Sequence, residues 1–282
     1  MLDQIAQTDR AAANLLHHCA GLTAGDRLVI LHEPPGLGYY DDALPGSLAQ
    51  SALALGLQVQ LLQVPFAPDV RALAPGLATL IADADCAVFI ARLGDQLRFQ
   101  DMPAGARCVV VYALDGTMFR SGFGTAHYGA FLALKGAVDA ALDVAREIRV
   151  TCPLGSDFYG PGPKVLRSGV TDVSILRFPM SVFSPVPAQA FSGCVALRFL
   201  AGTGSRYYQP GEVEFERPVI ARFDAGRLTG FDGSGADVAR AKAHYAHVAG
   251  LFGIDGGFVH SWHAGIHPGC VSTQHARADY DR

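Results

Sequence analysis

The sequence is short of charge, of paired cysteines and of long apolar runs, and each shortage removes a class of function. Only 17% of the 282 residues are charged and the formal net charge is −4, which gives no electrostatic case for holding nucleic acid. No stretch reaches the roughly 18 to 20 apolar residues of a membrane span. The opening, MLDQIAQTDRAAANLL, carries acids and polar residues where a secretory signal has a basic start and an apolar run. A soluble, cytoplasmic chain is expected, with neither nucleic acid nor membrane as partner. The cysteines stand singly at Cys19, Cys86, Cys108, Cys152, Cys194 and Cys270. Without a CxxC pair there is neither a zinc ribbon nor a thioredoxin-like motif. Cys86 in DCAVFIA and Cys108 in RCVVVY lie in apolar runs, where cysteine behaves as a small hydrophobe. Mostly buried free thiols are expected, with Cys152 in a packing role rather than as a nucleophile. No serine stands in a Gly-x-Ser-x-Gly elbow. Gly36-Leu37-Gly38 and Gly122-Phe123-Gly124-Thr125 fit neither the dinucleotide fingerprint nor the Walker pattern, and read as flexible turns.

What is present is apolar: half the residues are hydrophobic, enough for one large domain or two smaller ones. Residues 9–21, 44–55, 70–82 and 126–146 have helical character. Short apolar strands at 27–32, 57–64, 86–91 and 107–112 alternate with them. That alternation predicts an α/β fold, a doubly wound and mostly parallel sheet covered on both faces. After residue 146 the composition turns to β-branched residues, glycine and proline. Strands are expected at 147–152, 172–177, 193–200, 218–224 and 227–231, with Ala225-Gly226 as a hairpin turn, then a helix at 236–251. The chain therefore divides into an α/β domain, 1–147, and a β-rich α+β domain, 148–282.

Several clusters have chemical potential. His260, His263, His267 and His275 are the densest group of possible metal ligands. His263 and His267 flank a turn and can converge, with Glu212 or Asp279 as the carboxylate of a two-histidine, one-carboxylate iron site. The plainer reading is loop histidines with ordinary hydrogen bonds. His244 and His247 share a helix face among alanines, and a solvated face is expected there. Aromatic rings beside glycine or proline, at Tyr39, Tyr40, Phe158, Tyr159, Tyr207, Tyr208 and Trp262, suit a groove for an extended peptide or a small aromatic ligand. They equally suit packing between the domains. In Gly155-Ser156-Asp157-Phe158 the glycine permits a tight turn, and Ser156 and Asp157 can bond nearby amides.

Three segments carry a resemblance: GLTAGDRLVILHEPP with LGLQVQLLQV, then REIRVTCPLGSDFY, then Pro210-Gly211-Glu212-Val213 followed by the 262–269 turn, WHAGIHPG. In order and spacing they resemble the family of thermophilic metallo-aminopeptidases and 2,5-dihydroxypyridine dioxygenases. The resemblance implies iron or zinc bound by His263 with Glu212, assisted by residues it does not identify; the histidine cluster adds His267 as a candidate. The family's late His-x-Asp pair has no counterpart before Arg282. Either a C-terminal portion is missing or the chemistry has been lost. Two readings follow. One is an accessory protein that holds a peptide or small molecule in the family's cleft, without cofactor, beside enzymes that tailor a peptide natural product. The other is a mononuclear metal enzyme, a ring-opening dioxygenase or an aminopeptidase, with catalytic residues unassigned. A homodimer is the assembly in view, and a sheet edge of the β-rich half could add a peptide strand.

Overall fold

The computed structural model describes residues 10–68, 70–103, 105–163, 173–201 and 211–270. A π-helical turn, α1 (Asn14–Cys19), precedes β1 (Arg27–His32), α2 (Leu44–Ala54), β2 (Gln58–Gln63), α3 (Pro75–Asp83), β3 (Cys86–Ile90), α4 (Arg92–Gln96) and β4 (Cys108–Val111). Short helices α5 (Gly116–Arg120) and α6 (Gly122–Thr125) lead into α7 (Tyr128–Val144). Then come β5 (Glu147–Thr151), β6 (Asp157–Pro161), β7 (Leu176–Phe178), β8 (Val186–Pro187), β9 (Ser192–Ala201), β10 (Glu212–Asp224) and β11 (Arg227–Asp232). Helix α8 (Gly235–Phe252) and β12 (Ser261–Trp262) complete the described elements.

The first sheet has the order β2-β1-β3-β4-β7, and every pair in it is parallel. Strands β3 and β4 are buried at every residue, because helices cover both faces. Alternate side chains feed two cores. Leu28, Ile30, Val88 and Val109 pack with Leu15, Leu16 and Leu48, while Val29, Leu31, Phe89 and Val110 pack with Ile81 and Leu93. The doubly wound parallel half is as the alternation predicts. Residues 148 onward do not all join the second layer, however. Strand β7 returns to pair with β4, Val110 opposite Arg177, and covers an edge that would otherwise stand open.

The second sheet, β11-β10-β9-β6-β5, is antiparallel, and β12 pairs with β8 in a small third sheet. The β10–β11 turn falls at Ala225-Gly226, both at positive φ (43° and 74°), as a two-residue hairpin of the primed type requires. Gly193 has φ +116°, and a Cβ there would lie 2.1 Å from the Asp157 carbonyl oxygen, so β6 and β9 can pair this closely only at a glycine. Ser234 caps α8 by accepting from the Asp237 amide at 3.2 Å, and left-handed Gly253 ends it. Among the described residues no helix is long and apolar enough to cross a membrane.

The cysteines divide by depth. Cys19, Cys86 and Cys108 are buried, Cys152 and Cys194 half-buried, and Cys270 exposed. Burial pushes the Cys19 thiol up to about 12 and Cys108 up to about 11, and raises Cys86 as well. Hydrogen bonds from the Ser156 side chain and backbone instead lower Cys152. A thiol reagent at pH 8 should therefore label Cys152 and Cys270 in the native protein and reach Cys19, Cys86 and Cys108 only after unfolding. Mass-spectrometric mapping against time checks this. Labelling of Cys86 as fast as Cys270 would contradict the core described above.

Candidate functional site

In the order β2-β1-β3, the chain leaves β1 to one side and returns on the other, so the topological switch point lies between β1 and β3. Ligands of open parallel sheets bind at the carboxyl ends of strands at such a point. Here β1 ends at His32 and is followed by Glu33, and β3 leads through Ala91 to Arg92. The two charges meet. Glu33 Oε1 accepts from the Arg92 backbone N–H at 2.7 Å and from Nε at 2.9 Å, and Oε2 accepts from Nη2 at 2.8 Å. Both side chains are almost fully buried, at 5% and 9% exposure. The Arg92 guanidinium also lies 3.5 Å from the Phe66 ring centroid and 5.0 Å from that of Tyr39.

Tyr39 meets Tyr40 edge to face at 5.0 Å, and the Tyr40 hydroxyl donates to the Val111 carbonyl at 2.8 Å. The loop between β1 and α2 is thus anchored at β4. Its proline-glycine stretch is closed by Asp42, whose carboxylate accepts from the Gly36 amide at 3.0 and 3.1 Å. Asp41 accepts from the Ala43 amide at 3.0 Å, turning the chain into α2. Between these parts lies a crevice of about 150 Å³, walled by His32, Glu33, Pro34, Leu37, Tyr40 and Pro45, with the exposed Asp41 and Asp42 at its mouth. Its lining combines three carboxylates, Glu33, Asp41 and Asp42, with apolar side chains. Glu33 and Arg92 were not singled out by motif. The signal that finds them is a lone charge just past the end of each of two apolar strands.

The other expected site residues lie elsewhere. Asp157 does not bond backbone amides, as the turn motif suggests. Its carboxylate pairs with Arg149 across β5 and β6, at 2.7 Å to Nε and 2.6 Å to Nη2, because the two residues stand on neighbouring strands within two positions of register. The turn's serine does bond an amide, that of Ala196 at 2.9 Å. Tyr159, on the same strand as Asp157, is 47% exposed. Half-buried Trp262 packs edge-on against Phe183 at 5.5 Å and Phe191 at 6.3 Å, against the core of the second sheet. Tyr207 and Tyr208, with His275 and Asp279, lie outside the described residues.

Among the described residues the metal candidates are not gathered into one site. His267 is buried, stacked on Phe131 at 5.6 Å and edge-on to Phe123 at 5.1 Å, and its Nδ1 accepts from the Gly269 amide at 3.1 Å. Desolvation lowers its pKa. The segment is seated by backbone contact. A Cβ on Gly269 would lie 2.0 Å from the Gly122 oxygen, in what is a helical turn, α6, rather than a flexible loop. His263 is exposed by area, yet the protein around it and the Arg177 charge lower its pKa. Glu212 opens β10, opposite Ala201. Among the described residues no three His, Cys, Asp or Glu side chains form a group able to hold a metal, so Glu212, His263 and His267 are not brought together.

No family model matches the sequence, and no curated protein matches it. The fold is similar to that of a 2,5-dihydroxypyridine dioxygenase from Pseudomonas putida KT2440, with a TM-score of 0.51 and 14% identity over 86% of this chain and 71% of that one. The structure of AmpT from Thermus thermophilus also matches, with a TM-score of 0.48 and 14% identity over 84% of this chain and 74% of that one. At such identity the likeness to the dioxygenase concerns the fold alone. It is a distant structural relationship and transfers no residue roles.

Proposed function

We propose that the chain is a binding protein that takes the amino-terminal end of a peptide, or a small amine of similar shape, in the crevice at the carboxyl ends of β1 and β3. The observation that carries this reading is the crevice's acidic lining, where Glu33, held by Arg92, stands in the wall and the exposed Asp41 and Asp42 stand at the mouth. Apolar walls and acidic groups match an ammonium head followed by an apolar side chain. Acting as an accessory to enzymes that work on the same peptide requires nothing further of the site. The fold likeness favours a second reading, a mononuclear iron or zinc enzyme. For that reading His263 and Glu212 would need a third ligand that the described residues do not bring to them.

Two measurements separate the readings. Calorimetry with short peptides bearing a free amino terminus should give saturable binding that is lost when the amine is acetylated. Equal heats for free and acetylated peptides would sink the crevice reading. Elemental analysis of freshly purified protein should show no stoichiometric iron or zinc. About one metal per chain, lost in His263→Ala, would establish the enzyme reading instead.

A further inference from the structure

A second hollow, of about 220 Å³, lies between α8, the end of β9 and the turn after α8. Leu200, Tyr245, Val248, Ile254 and Phe258 give it apolar walls, and His244 is set among them. His244 was expected on a solvated helix face. It is instead 6% exposed, and among the described residues neither ring nitrogen has a hydrogen-bond partner. Helical phase puts it there, since Ala241, His244 and Val248 follow one inward stripe of α8. A buried imidazole with both nitrogens unbonded has given up its water hydrogen bonds without replacement, and native interiors keep few such groups. A leucine or phenylalanine would fill the same stripe at no such cost. A histidine here therefore has a use when something enters the hollow.

The chemistry of that entrant can be narrowed. Burial, with the nearby His247, lowers the His244 pKa. The ring is accordingly neutral at pH 7, with one N–H donor and one lone-pair acceptor. The His244 ring offers an anion no positive charge, and the charges at the rim cancel: Asp255 is ion-paired with Arg227, whose guanidinium lies 5.3 Å from the Phe258 ring centroid. What remains is a neutral apolar body with one hydroxyl. A dry cavity of roughly 150 Å³ accepts benzene, so this hollow has room for one substituted ring.

We propose that the hollow binds a phenol-class aromatic alcohol, the ring against Tyr245, Val248 and Phe258 and the hydroxyl donating to the unprotonated nitrogen of His244. This site is separate from the crevice at β1 and β3 and does not depend on the function assigned there. The test is a titration of the full chain with phenol, benzene and benzoate, followed by calorimetry and by histidine ¹⁵N chemical shifts. Phenol should saturate one site per chain and move the His244 ring nitrogens. Benzene should bind at least tenfold more weakly, and benzoate not at all. His244→Phe should weaken phenol at least tenfold while leaving benzene unchanged, and Val248→Trp should block both. If His244→Phe does not fold, the ¹⁵N shifts of the wild-type protein decide. Absence of saturation by phenol, equal affinity for benzene, preference for benzoate, or ring nitrogens that do not respond would each overturn the assignment.

Discussion

Glu33→Ala should destabilise the protein by about 3–5 kcal/mol, the cost of leaving one partner of a buried ion pair without the other. Glu33 receives three hydrogen bonds shorter than 3.0 Å from the backbone and guanidinium of Arg92, and both side chains are closed from water. Without the carboxylate, Arg92 keeps the rings of Phe66 and Tyr39 but loses the counter-charge that these bonds supply. A ring face replaces little of that interaction, about 0.5–2 kcal/mol. The matched control is Glu33→Leu with Arg92→Met, which removes both charges at similar volume and should recover most of the loss. Urea denaturation of the three proteins measures it. A Glu33→Ala cost below about 1 kcal/mol, within reach of a surface pair, would show that water reaches the pair. The double variant also bears on function. If Glu33 orders the crevice wall, that protein folds normally yet binds the free-amine peptide more weakly.

The fold was legible because its determinants are local. The runs that become β3 and β4 are apolar at every position, and the alternation of such runs with helices already implies a sheet covered on both faces. The hairpin at Ala225-Gly226 and the start of α8 announce themselves within a few residues. Strand β7 did not, since only its pairing with β4 assigns it to the first sheet, and that contact is distant in sequence. The site was illegible for the same reason. Glu33 and Arg92 stand 59 positions apart, each a single charge after an apolar strand. His267 reads as a ligand beside His263 in the sequence, and only the fold brings Phe123 and Phe131 against its ring. His244 failed differently. Alanines on both sides of α8 blur its apolar face, so burial is decided by what packs opposite rather than by the helix's own pattern.

Phe191→Ala should cost about 3–5 kcal/mol, the range for truncating a buried phenylalanine, whereas Tyr159→Ala on the exposed face of β6 should stay within about 0.5 kcal/mol. Phe191 has no exposed surface, lies 5.1 Å from the Phe158 ring and 6.3 Å from Trp262, and presses directly on Gly160, where an added Cβ would sit 2.3 Å from its ring. The backbone has less reason to move, because the Phe191 carbonyl still accepts from the Gly226 amide at 2.7 Å and holds the hairpin turn. A cavity therefore remains rather than a collapse, and the energetic cost stays near the upper end. The single tryptophan reports on it, since Trp262 borders the space that would open and its emission should shift to the red. This variant also discriminates between positions for the ligand. With the crevice on the first sheet, peptide affinity should be unchanged under conditions where Phe191→Ala is folded. A loss of affinity that accompanies the Trp262 shift would move the binding site to the aromatic cluster of the second sheet, and the tryptophan would then be a ligand contact rather than a core residue.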